Sequence, residues 1–256
     1  MDVSRTSSQP SSQRMVLITG ANRGIGRSAA LHLARDGVDI IATYRTHAEE
    51  AAAVVAEIEA LGRRAVALPL DVSRPAGFTL DAVLPEFGRD TFDFLVNNAG
   101  FSRGGMIADV TEEDIDALVD VHFKGPLLLT QALLPRLADG GAIVNLSTGL
   151  ARFTSPQRAV YGSVKGAVEV LTRYLAAELG PRGITANVIA PGPVATDFSG
   201  GIIRDTPEFQ EHLASLTPLG RVAVADDIGA AIANLLRPGN GWITGQRIEV
   251  SGGIHV

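Results

Sequence analysis

The chain has 256 residues, with 22 Lys+Arg against 28 Asp+Glu, a formal net charge of −6 and no cysteine. That balance provides no basic tract to follow a phosphate backbone, so no nucleic-acid partner is expected; disulfides, thiolate catalysis and cysteine-ligated zinc are excluded. The hydrophobic fraction of 46% suffices for a sizeable core, and the absence of cysteine fits a reducing compartment, so a cytoplasmic protein is expected.

The opening MDVSRTSSQPSSQR, 1–14, is rich in Ser and Gln and has no apolar h-region. It reads as a flexible tail and as neither a signal peptide nor a membrane span; no later apolar run approaches about 18 residues, so no membrane partner is expected. From residue 15 short apolar runs alternate with amphipathic ones. MVLIT (15–19) reads as a buried strand, IGRSAALHLARDG (25–37) as a helix, VDIIATY (38–44) as a strand, and HAEEAAAVVAEIEALG (47–62) as a helix closed by glycine. The same order continues through RAVALPL (64–70), a helix near 79–87, FDFLVNN (92–98) and a long helix around 112–138. GAIVNLS (141–147), a helix over 159–179, ITANVIA (184–190), a helix over 225–236 and a strand over 246–250 complete it. The strands are continuously apolar, as in a parallel sheet covered on both faces. The expected fold is therefore α/β: one doubly wound parallel sheet with helices on both faces, a single domain over 15–256. A loosely punctuated stretch at about 195–220 reads as a substrate lid; its Phe198, Ile202, Ile203, Phe209 and Leu213 either line an apolar pocket or pack on the body.

TGANRGIG (19–26) lies between the first strand and the first helix. Its glycines permit a tight turn and let the backbone approach a pyrophosphate, to which the helix offers free N–H groups and its positive dipole end. Gly20, Asn22, Arg23, Gly24, Ile25 and Gly26 are the candidate nucleotide-binding residues here. An enzyme that uses NAD usually places a carboxylate at the end of the second strand, on the ribose 2′-OH. This chain has Tyr44 and Arg45 there, with Arg23 in the turn. Two guanidinium groups suit a 2′-phosphate, so NADP(H) is expected over NAD.

TGANRGIG (19–26), LDV (70–72), NNAG (97–100), YGSVK (161–165) and PGPVAT (191–196), in this order, resemble the classical short-chain dehydrogenase/reductases, from about residue 15 to the C-terminus. VNNAGFSRGGMIADVTEEDID (96–116) is most similar to the branch with the 3-oxoacyl-acyl-carrier-protein reductases. The resemblance implies that Asp71 and Val72 contact adenine and that Asn98, Ala99 and Gly100 line the nucleotide cleft. It places Pro191, Gly192, Val194 and Thr196 around the nicotinamide, and it implies a homotetramer joined through helices at about 112–138 and 159–179.

Tyr161 and Lys165 stand one helical turn apart, so their side chains share a face. A free phenol, pKa about 10, is a slow proton shuttle at neutral pH. The ammonium beside it and a positive nicotinamide are expected to bring Tyr161 toward working pH, so that it protonates a carbonyl oxygen as hydride arrives. Lys165 would also bond the nicotinamide ribose. In the family a serine thirteen residues before the tyrosine holds the substrate oxygen; here that position is Thr148, which keeps the hydroxyl and adds a methyl that narrows the pocket. Ser147, next to it on an extended segment, points the other way. His122 replaces a usual Asn behind the lysine; it can hydrogen-bond and could titrate near neutrality, in a structural or a relay role. Four other histidines, His32, His47, His212 and His255, are scattered without metal spacing, so no metal is expected. Glu49, Glu50 and the TEED segment at 111–114 open helices, with Thr111 close to a capping box. Trp242 packs against either the cleft or a partner subunit.

The sequence thus points to an NADP(H)-dependent oxidoreductase acting on a carbonyl or secondary alcohol. A 3-oxoacyl thioester is one candidate substrate; a small ketone, a sugar and a hydroxy ester are others. The alternative from a different class is an NADP(H)-binding sensor with little turnover, its chemistry blunted at Thr148 and His122.

Overall fold

The computed structural model describes residues 13–256. Residues 1–12 of the expected tail lie outside them, and the body begins two residues earlier than the sequence indicated. Gln13 Nε2 donates to Asp39 Oδ2 (2.8 Å), the Arg14 carbonyl accepts from the Asp39 N–H (2.8 Å), and the Arg14 guanidinium sits 5.6 Å from the Phe94 ring centroid.

Seven strands among the described residues form one parallel sheet: β1 (Met15–Ile18), β2 (Asp39–Tyr44), β3 (Ala65–Pro69), β4 (Phe92–Asn97), β5 (Leu137–Leu146), β6 (Thr185–Pro191) and β7 (Arg247–Val250). Their spatial order is β3-β2-β1-β4-β5-β6-β7, with Val16 in register with both Ile40 and Phe94. The chain reverses its direction of travel between β1 and β4, and the C-terminal edge beside that switch is where doubly wound sheets hold ligands.

Successive strand residues face opposite ways, and both faces are apolar. Val16, Ile18, Ile40 and Val96 pack under α1 (Gly24–Arg35) and α2 (Ala48–Ala60), with Ile228 and Ile232 of the last helix. Met15, Leu17, Ile41 and Leu95 pack under the opposite layer, with Leu129 and Leu175. The helices of that layer are α3 (Glu112–Val119), α4 (Gly125–Leu133) and α5 (Ala159–Leu179). Short α6 (Ile202–Asp205) and α7 (Pro207–Ser215) follow β6, and α8 (Ala225–Leu235) returns to pack on α1. The two touch at Gly229, where a Cβ would lie 2.3 Å from Ser28 Oγ.

Two elements differ from the sequence reading. The helix expected near 79–87 is a 3₁₀ turn, Leu84–Phe87, ended by Gly88 in the left-handed region. Leu80, Val83 and Leu84 bury themselves from turns, so the apolar spacing is satisfied without a helix. The long helix expected over 112–138 is two helices joined by a π turn, Asp120–Lys124, which contains His122. It ends at Leu133 because β5 starts at Leu137, paired with Phe92. Thr111 caps α3 as expected, its Oγ1 accepting from the Asp114 N–H at 3.2 Å.

Candidate active site

A cleft of about 1280 Å³ opens over the C-terminal edge of the sheet. The glycine turn forms one wall. Gly20 (φ +65°) and Gly24 (φ +55°) take left-handed backbone that side chains resist. A Cβ on Gly26 would fall 2.2 Å from the Gly20 carbonyl oxygen and 2.6 Å from Asn98 Nδ2, so this glycine sits behind the turn and lets it close. Asn98 clamps the same turn by donating to the carbonyls of Thr19 (2.8 Å) and Gly20 (3.1 Å). Thr19 Oγ1 accepts from the backbone N–H groups of Asn98 and Ala99, both at 2.9 Å.

Helix α1 begins at the cleft with no side-chain cap and no acidic residue in its first turn. Its N–H groups and dipole end are therefore open to an anion, and the turn leaves backbone room for one, so these residues fit a dinucleotide pyrophosphate. Gly20, Asn22, Arg23, Gly24 and Ile25 line the cleft, as do Arg45, Asp71 and Val72; Asn22 Nδ2 is held by Glu50 Oε2 at 2.7 Å. Burial raises the Asp71 carboxyl, but hydrogen bonds from Ser73 and the charge of Arg45 outweigh it and hold Asp71 below the usual carboxylate range. Asn98, Ala99 and Gly100 continue the wall. Opposite lie Pro191, Gly192, Val194 and Thr196; Thr196 comes within 3.9 Å of the place a Gly24 Cβ would occupy.

The floor carries Thr148, Tyr161 and Lys165, together as the sequence indicated. Tyr161 and Lys165 come from the first turns of α5, and both are buried. Lys165 Nζ donates to the Leu146 carbonyl at 2.7 Å and lies 5.9 Å from the Tyr161 ring centroid. Of the two adjacent hydroxyls, Ser147 commits its own to Glu169 Oε1 (2.7 Å). The Thr148 hydroxyl stands near enough to the phenol to favour phenolate, although its regular hydrogen bond is accepted from the Leu150 N–H at 3.3 Å.

Two expectations about charge are corrected. Burial raises the Tyr161 phenol well above its ordinary value, against smaller opposing effects of Thr148 and Arg158, so the side chain is held as a protonated acid. The lysine does not prevail because burial acts on it too and lowers it to about 7. His122 does not titrate near neutrality: burial first, and Lys165 second, push it well below the ordinary imidazole value. Its Nε2 lies 2.6 Å from the Phe101 carbonyl, which can only accept, so Nε2 carries the proton. Nδ1 is left buried with no hydrogen-bond partner among the described residues. The ring meets Tyr161 edge-on, centroids 5.4 Å apart at 81°. A Cβ on Gly100 would lie 2.4 Å from His122 Cε1, so histidine here requires glycine there.

Phe198, Ile202, Ile203, Phe209 and Leu213, from the stretch expected to be a lid, line the cleft. His212 and His255 line it as well, the latter tilted at 55° against Phe153 with ring centroids 4.5 Å apart. Trp242 is 98% exposed and outside the cleft lining. Sequence reasoning missed Arg158, which lines the cleft beside Tyr161. It also missed Arg247 of β7, whose guanidinium donates to the Thr148 carbonyl (3.2 Å) and to Glu169 Oε1 (2.8 Å). No local motif marks either residue. Among the described residues no cluster of His, Asp and Glu could hold a metal, and no helix is long and apolar enough to cross a membrane.

Residues 20–255 match the family model described as enoyl-(acyl carrier protein) reductase. An oxidoreductase of Methylorubrum extorquens is 39% identical over 246 residues, covering 94% of this chain and 98% of its own. The 3-oxoacyl-[acyl-carrier-protein] reductase of Staphylococcus aureus is 35% identical over 247 residues, 95% of this chain and 98% of its own. Among solved structures, an angucycline C-6 ketoreductase with bound NADP superposes with a TM-score of 0.88 at 36% identity, covering 94% of this chain and 95% of its own. With the parallel sheet, the glycine turn and the tyrosine–lysine pair in place, the chain belongs to the short-chain dehydrogenase/reductase family of oxidoreductases.

Proposed function

We propose that the protein is an NADPH-dependent carbonyl reductase. The observation that carries this reading is the meeting of Tyr161, Thr148 and Lys165 on the floor of one cleft whose wall is the uncapped start of α1. Arg23 and Arg45 would hold the ribose 2′-phosphate, the glycine turn and the start of α1 would hold the pyrophosphate, and Pro191, Gly192, Val194 and Thr196 would hold the nicotinamide end. When bound, the cofactor supplies a hydride to the carbonyl carbon. Thr148 donates a hydrogen bond to the carbonyl oxygen, and Tyr161 gives that oxygen its proton. Lys165, in its protonated form, places positive charge behind the phenolate left on Tyr161. His122, fixed in its neutral form, packs the phenol ring and offers its Nδ1 lone pair to a relay water behind the lysine. A phenol that burial keeps protonated suits reduction, in which the tyrosine begins as the acid.

The substrate is a ketone with an apolar body. A 3-oxoacyl thioester has the support of the 35% identical acyl-carrier-protein reductase. A ring ketone has the support of the angucycline ketoreductase and of the aromatic lining by Phe101, Phe153, Phe198 and Phe209. The protein works as a cytoplasmic homotetramer. Leu127 and Leu128 on α4 and Val170 and Tyr174 on α5 are exposed apolar residues on the helices that would join its subunits.

The test is NADPH oxidation against a 3-oxoacyl thioester, ring ketones, diketones and aldehydes, with Tyr161→Phe beside the wild type. Turnover that falls at least about a hundredfold in the variant is the expected result. NADPH binding without any Tyr161-dependent turnover would move the reading to a sensor.

A further inference from the structure

Around Tyr161 the cleft is lined by phenylalanines and by aliphatics of the 198–216 segment, and beside them stands the guanidinium of Arg158. Among the described residues it has no carboxylate partner, whereas Arg204, in that segment, is bound by Asp197 and Asp205. Its one side-chain hydrogen bond goes from Nη1 to Ser102 Oγ at 2.7 Å, which leaves the rest of the fork unspent. A partly buried guanidinium with donors to spare is suited to a planar anion that brings the opposite charge.

The backbone fixes this placement. Gln157, immediately before it, has φ 67°, a left-handed conformation that a non-glycine residue adopts at a cost of about 1 kcal/mol. That strain is held by a second contact, the Gly105 N–H donating to the Gln157 carbonyl at 3.0 Å. The loop at 102–105 and the turn at 155–158 thus lock together, with the guanidinium between them. Arg158 sits at the start of α5, three residues before Tyr161, so the two share a helix face and both line the cleft. A group held by Arg158 therefore lies on the same side of the cleft as the reacting carbonyl.

We propose that Arg158 determines specificity by receiving an anionic oxygen, a carboxylate or an enolate or phenolate, that the ketone carries near its reducible carbonyl. This rests on the carbonyl-reductase reading above and narrows it to acidic ketones. Planar anionic oxygens match the guanidinium fork, and the phenylalanines accept the body of the molecule.

The experiment compares matched pairs with NADPH: an acetylbenzoate with its methyl ester, and a cyclic diketone that enolises with its gem-dimethyl analogue that cannot. Wild type, Arg158→Gln and Arg158→Lys are run on each. In Arg158→Gln the kcat/KM ratio of anionic to neutral member falls about ten- to hundredfold, mainly through KM, and Arg158→Lys restores part of it. The first pair reads carboxylate, the second enolate. Equal losses on both members of both pairs, with a shifted pH profile, would mean that Arg158 acts only through Tyr161 and would overturn the proposal. Calorimetric titration of the NADP-loaded protein with benzoate and benzamide keeps the two readings separate. If no ketone is reduced, the reductase reading fails, while benzoate binding lost in Arg158→Gln still supports the anion site. Benzoate binding no tighter than benzamide would refute it.

Discussion

Lys165→Met is expected to stabilise the cofactor-free protein, and to do so more at low pH. In the folded chain burial lowers Lys165 from 10.5 to about 7. Between those values the unfolded chain keeps a proton that the folded chain releases, so stability rises with pH across that window. The penalty is absent above about 10.5 and complete below about 7. At about 1.4 kcal/mol per pH unit its full size is roughly 5 kcal/mol as an upper figure, and it grows by roughly 3 kcal/mol between pH 9 and pH 6. The variant also loses the hydrogen bond to the Leu146 carbonyl, a loss of about 1 kcal/mol that does not depend on pH. Urea unfolding of both proteins at the two pH values reads the difference directly. A His122→Asn background removes the imidazole whose own pKa Lys165 lowers. A stability gap that is the same at pH 6 and pH 9 within about 0.5 kcal/mol would refute the argument, because it would mean that the buried amine keeps its proton throughout.

Arg45→Asp is expected to lower the ratio of kcat/KM for NADPH over NADH by about ten- to hundredfold, since a carboxylate repels a 2′-phosphate and bonds a 2′-hydroxyl. An unchanged ratio would remove Arg45 from that role. Gly26→Ala drives a Cβ into the Gly20 carbonyl and should weaken NADPH binding at least tenfold while costing about 1–3 kcal/mol of stability, both measurable by titration and thermal melting. Gly100→Ala should cost a similar amount alone and much less together with His122→Asn; a double-mutant cycle that is additive would show that the two residues do not press on each other.

The strands could be read in the sequence because each is covered on both faces and so appears as an unbroken apolar run. Tyr161 and Lys165 were legible because they lie on one helix turn, where chain spacing fixes spatial spacing, and the glycine turn because it sits at a strand end; Thr148, on a separate element, was indicated by the family resemblance alone. What failed was local geometry that competing signals obscure. Leu80, Val83, Leu84 and Phe87 imitate a helical stripe, yet Pro85 and Gly88 confine it to one 3₁₀ turn. The π turn around His122 has no sequence marker at all. Charge states were misjudged because spacing shows that Lys165 is near Tyr161 but not that both are buried, and burial is the larger effect. Arg158 and Arg247 escaped notice because their partners, Ser102 and the Thr148 carbonyl, stand 56 and 99 residues away.

The reach of Arg247 from the last strand has a consequence for how the site is completed. The carbonyl of Thr148 and the carboxylate of Glu169 receive their guanidinium only once β7 has added to the edge of the sheet beside β6. A sheet of six strands already holds the glycine turn, Tyr161 and Lys165, but the segment bearing Thr148 still lacks this brace. The brace is therefore complete only after β7 has paired, and Arg247→Ala is expected to lower turnover more than nucleotide binding.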